Sequence, residues 1–322
     1  MTMIWNIRRG LIFRVTVFSF LCWCGAAQRR ARFCESLLNC FDSSLLCPVL
    51  FGYYNCTDFN IARNTEPACG ESRVTGRASL YAMPRVVNGV DAEEREFPWT
   101  VNVEDEESLI GMCGGSIIRK DVILTAAHCV RSLVRRPKSL RIGYGSTRLS
   151  RLVYVRASRI SVHPDYNQTN GDNDIAVVVL NEALPLNTNL RSICLPEAGA
   201  SYDSNSRCII AGWGILNENG NRFPGSLQKA AVPLVPRNSC QRAYSNNPYI
   251  LVSERQVCAG YYGTGGVDAC TGDSGGPLIC PDGDKWVVYG VVSRGYGCGR
   301  ALYPGVYAYV PQYIDWITSQ MN

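Results

Sequence analysis

From residue 86 to the C-terminus the chain is written in short β-rich runs (116–124, 152–155, 175–180, 208–211 and 286–292) separated by Gly, Pro and Asn turns. Short strands closed by turn residues predict an all-β barrel or sandwich of ~200–250 residues. Only 310–321 reads as an amphipathic helix. The full length of 322 residues admits one such domain plus an appendage, or two medium domains. Hydrophobic residues at 46% and charged residues at 18% suit a globular protein with a sizeable core. No internal repeat alters this reading.

Sixteen cysteines are far above cytosolic usage and point to an oxidising compartment. The N-terminus agrees. Arg8, Arg9 and Arg14 precede an apolar stretch from Val15 to about Cys24, and the small residues Gly25, Ala26 and Ala27 follow. That is the order of a secretory signal peptide over 1–27. The rival, a membrane anchor, needs ~20 apolar residues, and Arg14 interrupts this one. Removing Cys22 and Cys24 with the signal leaves fourteen cysteines, an even number. Four of them (Cys34, Cys40, Cys47, Cys56) crowd a stem within 28–85, and ten run from Cys69 to Cys298. Residues 57–85 have the polar, turn-rich composition of a linker, and 86–322 form the main domain. A net charge of +5, with no basic tract interleaved by stacking aromatics, gives no case for nucleic acid.

One run carries chemistry: Asp268-Ala269-Cys270-Thr271-Gly272-Asp273-Ser274-Gly275-Gly276-Pro277. It sets a hydroxyl among glycines, where backbone N–H groups can converge on a developing negative charge. Whether Ser274 is a nucleophile depends on a base elsewhere. There are two histidines. His128 follows Leu124-Thr125-Ala126-Ala127 at an expected strand end. His163 lies in a His-Pro-Asp-Tyr turn and reads as an ordinary surface or core residue. Neither has metal-ligand spacing to a second histidine, so no metal is expected. Asp174 opens the apolar run 175–180, where a carboxylate is costly unless hydrogen-bonded, and an imidazole N–H would supply that bond. Asp172, among Asn and Gly, reads as a solvated loop residue. The roles that follow are His128 as general base and acid for Ser274, with Asp174 orienting the imidazole.

The order His, Asp, Ser, the strings Thr-Ala-Ala-His-Cys, Asp-Ile-Ala-Val and Gly-Asp-Ser-Gly-Gly-Pro, and the start Val-Val-Asn-Gly resemble the chymotrypsin-like serine proteases over most of the chain, from about Cys69 onward. The resemblance implies two six-stranded antiparallel β-barrels with the triad between them and a short C-terminal helix, beside the small disulfide-rich stem. It implies an oxyanion hole from the N–H groups of Gly272 and Ser274, and a bond from Ser293 to Asp174. It further implies the pairs Cys113–Cys129, Cys208–Cys280, Cys240–Cys258 and Cys270–Cys298, with Cys69–Cys194 tying the stem to the protease domain; sequence alone leaves the connectivity open.

By the same resemblance, cleavage between Arg85 and Val86 by an upstream trypsin-like protease frees an α-amine that buries against Asp273 and organises the site. Asp268, six residues before Ser274, matches the floor of the primary pocket and implies cleavage after Arg or Lys in protein substrates. Gly295 and Gly305 match the positions that keep such a pocket open, and Ala269, lacking a hydroxyl, tilts preference toward Arg. Two departures stand out. Arg294 replaces the tryptophan that usually follows the substrate-binding strand, and Gly171 stands where a bulky residue often covers the next subsite. Together they are expected to remove two apolar walls and to favour acidic upstream residues.

Between 131 and 164 there are nine basic residues (Arg131, Arg135, Arg136, Lys138, Arg141, Arg148, Arg151, Arg156, Arg159) and no acid. Calcium wants carboxylates, so a calcium loop is not expected there; Pro304, where sodium-activated relatives carry Tyr, argues against sodium. No cofactor is implied. The basic run is either an exosite for an acidic protein or polysaccharide, or a solvated face offset by Glu104, Asp105, Glu106 and Glu107. The stem spacing matches no module that can be named. Sequons place N-glycans at Asn55 and Asn167. The expectation is a secreted, extracellular zymogen with no membrane span. The competing reading is a catalytically silent homologue that binds through its basic face; such homologues usually lose a triad residue, and this chain keeps all three.

Overall fold

The computed structural model describes residues 67–72, 89–107, 112–201 and 206–321. The signal segment, the stem cysteines, Asn55, Arg85 and Val86 lie outside these residues. No helix among the described residues is long and apolar enough to cross a membrane.

The described residues form two closed antiparallel barrels of six strands each. The first is built from β2 (Thr100–Asp105), β3 (Met112–Arg119), β4 (Val122–Thr125), β5 (Leu140–Tyr144), β6 (Val153–Val162) and β7 (Ala176–Leu180), closing in the order β2-β3-β4-β7-β6-β5. The second runs β9 (Gln228–Val235), β10 (Gln256–Ala259), β13 (Gly305–Tyr309), β12 (Lys285–Arg294), β11 (Pro277–Asp282) and β8 (Arg207–Gly212), with β8 returning to β9. A two-residue strand, β1 (Val90–Asp91), adds to the edge of β9. The expected run 116–124 is two strands, because Lys120 and Asp121 turn the chain between β3 and β4.

Alternation along the strands fills the barrels. In β6, Val155 and Ala157 point inward while Val153, Tyr154 and Arg156 face solvent. A register shift between Ala157 and Arg159 then resets the phase, so that Ile160 is inward as well. The first barrel packs Val101, Ile117, Ile123, Ile142 and Val178 with no exposed surface. Each such aliphatic side chain contributes about 1.5–3 kcal/mol.

Helices are few. Ala127–Val130 (α1) is a single turn after β4, and Ile314–Gln320 (α3) ends the chain. The C-terminal helix is shorter than its periodicity predicts. Residues Val310–Gln312 form a 3-10 turn, and Tyr313 has non-helical dihedrals (φ −121°, ψ 7°) before the helix proper. A further helix, Arg237–Tyr244 (α2), was not expected. It starts directly after Pro236, which cannot extend β9 in its place, and it buries only Cys240 and Tyr244. Five of its eight residues are Arg, Asn, Ser or Gln, so the segment reads as a polar loop rather than as a packed element.

Five disulfides cross the described residues: Cys69–Cys194, Cys113–Cys129, Cys208–Cys280, Cys240–Cys258 and Cys270–Cys298, the same pairs that the resemblance implies. Cys69–Cys194 holds the segment 67–72 against the second barrel, where the Gly70 N–H donates to Ser192 O and Trp286 N–H donates to Gly70 O, both at 2.9 Å. Gly70 needs its positive φ of 70°, since a Cβ there would collide with the Trp286 backbone.

Candidate active site

Strand pairing brings together residues that are far apart in sequence. β4 and β7 run antiparallel with Thr125 opposite Ala176. His128 lies three residues beyond Thr125, and Asp174 lies two before Ala176, so both emerge from the same end of the barrel. Asp174 is almost wholly buried. Its Oδ1 accepts the His128 backbone N–H at 2.9 Å, and its Oδ2 lies 2.7 Å from His128 Nδ1. Ser293 Oγ, from β12 of the other barrel, donates to Oδ2 at 2.6 Å. Burial pulls the Asp174 pKa upward, but the bonds from His128 and Ser293 outweigh it and hold the carboxyl below its ordinary value. The carboxylate is therefore ionised and accepts a hydrogen bond from His128 Nδ1–H, while Nε2 lies 3.7 Å from Cys129 Sγ.

The second barrel delivers Ser274 on the loop between β10 and β11. Its carbonyl accepts the Gly114 N–H at 2.7 Å. Contact there is glycine on glycine: a Cβ at Gly114 would lie 2.8 Å from the Gly276 Cα. Gly275 (φ 80°) packs on Thr125, whose hydroxyl also donates to Gly114 O at 2.8 Å. Ser274 is thus pressed against the segment that leads into His128, and Cys113–Cys129 clamps that segment to β3. Closing a loop of this size contributes about 3 kcal/mol. Cys113, His128 and Cys129 cluster as ligands would, yet the two sulfurs are bonded to each other and are not thiolates. Gly272 has φ 101°, and its missing side chain leaves room for the Phe223 ring.

Beside Ser274 opens a cavity of about 350 Å³ lined by Asp268, Ala269, Ser293, Arg294, Gly295 and Gly305, among others. At its floor Asp268 accepts the N–H groups of Ala269 (2.9 Å) and Gly299 (3.2 Å). Burial, reinforced by the nearby Asp273 charge, outweighs those bonds and raises its pKa from 3.8 to about 7. Gly305 is obligatory beside it, since a Cβ would approach Asp268 Oδ1 to 2.5 Å. Gly295 is less constrained; a Cβ there would meet only Gly297 O, at 3.3 Å. Sequence reasoning missed Tyr307 in the same floor. Its hydroxyl is buried without a hydrogen-bond partner in the described residues. It shares a face of β13 with Gly305, two residues earlier, so the strand period could have pointed to it. The pocket rim, also missed, is tied by the ion pair Arg300–Glu218 at 2.7 Å.

Asp273 points the other way, into a cradle formed by Gly212 and Gly214. Its carboxylate accepts Gly214 N–H at 2.8 Å and Cys270 N–H at 2.9 Å. Burial raises its pKa to about 6 in spite of these bonds. A second cavity of about 390 Å³, lined by Asp273, Gly89 and Lys229, lies alongside. Lys229 Nζ bridges both oxygens of buried Glu96 at 2.6 and 2.7 Å, fixing the chain just beyond β1.

The candidates away from the cleft are ordinary. His163 packs on Tyr313 and Trp316 at 5.5 and 5.0 Å, and burial lowers its pKa. Asp172 is not the solvated residue expected: it is half-buried and accepts Ser253 Oγ at 2.8 Å. Asn167 is exposed, its Oδ1 accepting the Thr169 N–H. The basic run is partly neutralised. Arg141 pairs with Glu104, Arg156 with Glu106 and Arg136 with Glu107. Antiparallel β2–β5 pairing sets Glu104 opposite Arg141, so the acidic and basic segments meet by register.

The trypsin family model matches residues 86–317, which contain every part of this cleft. The chain belongs to the trypsin family. Its members are serine endopeptidases, and protein substrates follow from that. It is 40% identical to Trypsin Blo t 3 of Blomia tropicalis over 241 residues, covering 74% of this chain and 87% of the relative. It is 37% identical to transmembrane protease serine 11G of Mus musculus over 240 residues. Identity to transmembrane protease serine 9 of Rattus norvegicus is 39% over 239 residues. Those alignments cover 74% and 72% of this chain, but it spans only 56% and 22% of these two relatives.

Proposed function

We propose that the protein is a secreted endopeptidase that hydrolyses bonds after Arg, and less readily Lys, and that it is made as a zymogen cut between Arg85 and Val86. The observation that carries this reading is Asp268 at the floor of a cavity that Ser274 also lines. A substrate guanidinium entering the cavity meets a recessed carboxylate whose two backbone bonds leave lone pairs free for charge-assisted bonds.

His128 Nε2 removes the Ser274 proton as Oγ attacks the scissile carbonyl carbon. The carbonyl electron pair moves onto oxygen, which the N–H groups of Gly272 and Ser274 stabilise. The imidazolium, steadied by Asp174, then protonates the leaving nitrogen, and the C–N bond breaks to give an acyl-serine. A water deprotonated by His128 cleaves that ester and returns the proton to Ser274. Treating the activated protein with a fluorophosphonate tests this chemistry: stoichiometric labelling at Ser274 is expected, and no labelling would favour the silent binding homologue instead.

Activation is supported by the geometry around Asp273. Gly89, at the mouth of the second cavity, is three residues past Val86. Three residues reach at most ~11 Å, enough to carry a freed α-amine into the cavity. There it would supply the cation that the buried Asp273 carboxylate lacks among its described partners. Arg85→Gln is expected to give an inert precursor, checked by turnover of an Arg-ester before and after exposure to trypsin; full activity in that variant would overturn the scheme. The Cys69–Cys194 disulfide would keep the stem attached after the cut. Asn167, exposed on its loop, is the glycan acceptor that this compartment would use.

A further inference from the structure

Arg294 ends β12 at the edge of the cleft. The preceding residues are anchored to the nucleophile loop, with Gly275 N–H donating to Val292 O at 2.8 Å and Val292 N–H to Gly276 O at 2.9 Å. Among the residues lining the cavity that holds Ser274 and Asp268, Arg294 is the one Lys or Arg. The residue is half-buried, and its guanidinium is held against the protein surface by a bond to Tyr249 O. It lies on Gly171, whose backbone adopts φ 78°, and any Cβ at that position would overlap Nε and Cζ. The two departures noted in the sequence are therefore one feature: the arginine occupies the volume that a side chain at 171 would fill.

Its hydrogen bonds among the described residues all run from Nη1, to Tyr249 O at 3.0 Å and, at the limit of reach, to Thr169 O at 3.5 Å. This pins the guanidinium between two loops. Nε, one of the two nitrogens that grip a carboxylate side-on, is buried with no acceptor. Nearby Tyr166 has a hydroxyl that is likewise buried and unpartnered, and it feels the Arg294 charge. Buried donors without acceptors are rare in folded proteins and costly to leave unmade.

We propose that Arg294, seated over Gly171, makes the upstream part of the cleft a cationic subsite that selects substrates carrying Asp or Glu two to four residues before the scissile bond. This rests on the reading of the Asp268 cavity as the pocket for the residue at that bond. The cleft then presents an anion at its floor and a cation at its rim, complementary to a segment with an acid upstream of an arginine. An aliphatic or aromatic upstream side chain would cover the guanidinium without supplying an acceptor.

The test is kcat/KM for peptides with Arg at the cleavage site, varying each of the three upstream positions among Glu, Gln, Leu, Phe and Lys, with activated wild type, R294Q and R294K. Glu against Gln isolates the charge. Wild type is expected to favour Glu over Gln by about tenfold at one of these positions, the scale of one charge-assisted hydrogen bond near the surface. The preference should shrink with added salt, vanish in R294Q and return in part in R294K. Equal rates for Glu and Gln at all three positions in wild type, with Arg cleavage intact, would overturn the inference. So would a preference for Phe or Leu, or an undiminished Glu preference in R294Q. Failure to cleave any Arg peptide would instead sink the proposed function, and this inference with it.

Discussion

Asp174→Asn is expected to lower kcat on an Arg peptide by about ten-thousandfold, the loss known for this substitution in the family's type enzyme. The side chains have nearly the same shape, so the effect is one of hydrogen placement. In the structure one carboxylate receives the His128 N–H, His128 Nδ1 and Ser293 Oγ, all at 2.6–2.9 Å. An amide offers one oxygen in place of two, and its NH₂ has to face a hydrogen-bond donor or an acceptor on the ring. If it faces Nδ1, that nitrogen becomes the acceptor and the ring proton moves to Nε2, where it can no longer take the proton of Ser274. Steady-state kinetics of the activated variant check this, with circular dichroism to show that the barrels persist. A loss below tenfold would mean that Asp174 does not set the tautomer.

Asp268→Ser is expected to reduce kcat/KM for Arg and Lys peptides by about ten-thousandfold, the scale on which a site built for a polar partner rejects a mismatch. The substrate guanidinium would enter a recess whose remaining groups cannot neutralise it. Cleavage after Phe or Leu should rise relative to cleavage after Arg. Retention of Arg preference in the variant would place the specificity elsewhere.

The wild type carries a related pH signature. With a folded pKa of about 7 against an ordinary 3.8, Asp268 is protonated in the free protein below about pH 7. The KM for Arg peptides should therefore rise as pH falls through that value, while an uncharged residue at the same position should show no such rise. For stability the sign is opposite. Ionised Asp268 opposes folding in full above pH 7, and its cost fades as pH falls from about 7 toward 3.8, where the unfolded chain also takes up the proton.

Much of the site was legible because it is local in the chain. Six consecutive residues from Gly272 to Pro277 hold the nucleophile, its glycines and Asp273, and Asp268 stands in the same run. The barrels were legible as β-rich runs with turns between them. What escaped was non-periodic or non-local. The helix Arg237–Tyr244 buries too few residues to announce itself. Tyr307 belongs to no motif, and only the fold sets it beside Gly305 and Asp268. For the basic run the sequence left two readings open, an exosite or a face offset by the acidic segment; strand register supplies what it lacked, pairing Glu104, Glu106 and Glu107 with arginines 29 to 50 residues away.

Composition and local pattern alone determined the class of fold and pointed to an oxidising compartment and to His128, Asp174 and Ser274 as the reacting groups, since each depends on residue type and near-neighbour order. Tertiary structure decided how distant residues share space. Thr125 opposite Ala176 sets His128 against Asp174, 46 residues apart. The closing of the barrels lays Arg294 on Gly171, turning two apparent gaps in the cleft into one filled, charged wall. A one-dimensional pattern can show that a bulky side chain is missing at 171 and an arginine present at 294. Only packing shows that the second occupies the room left by the first.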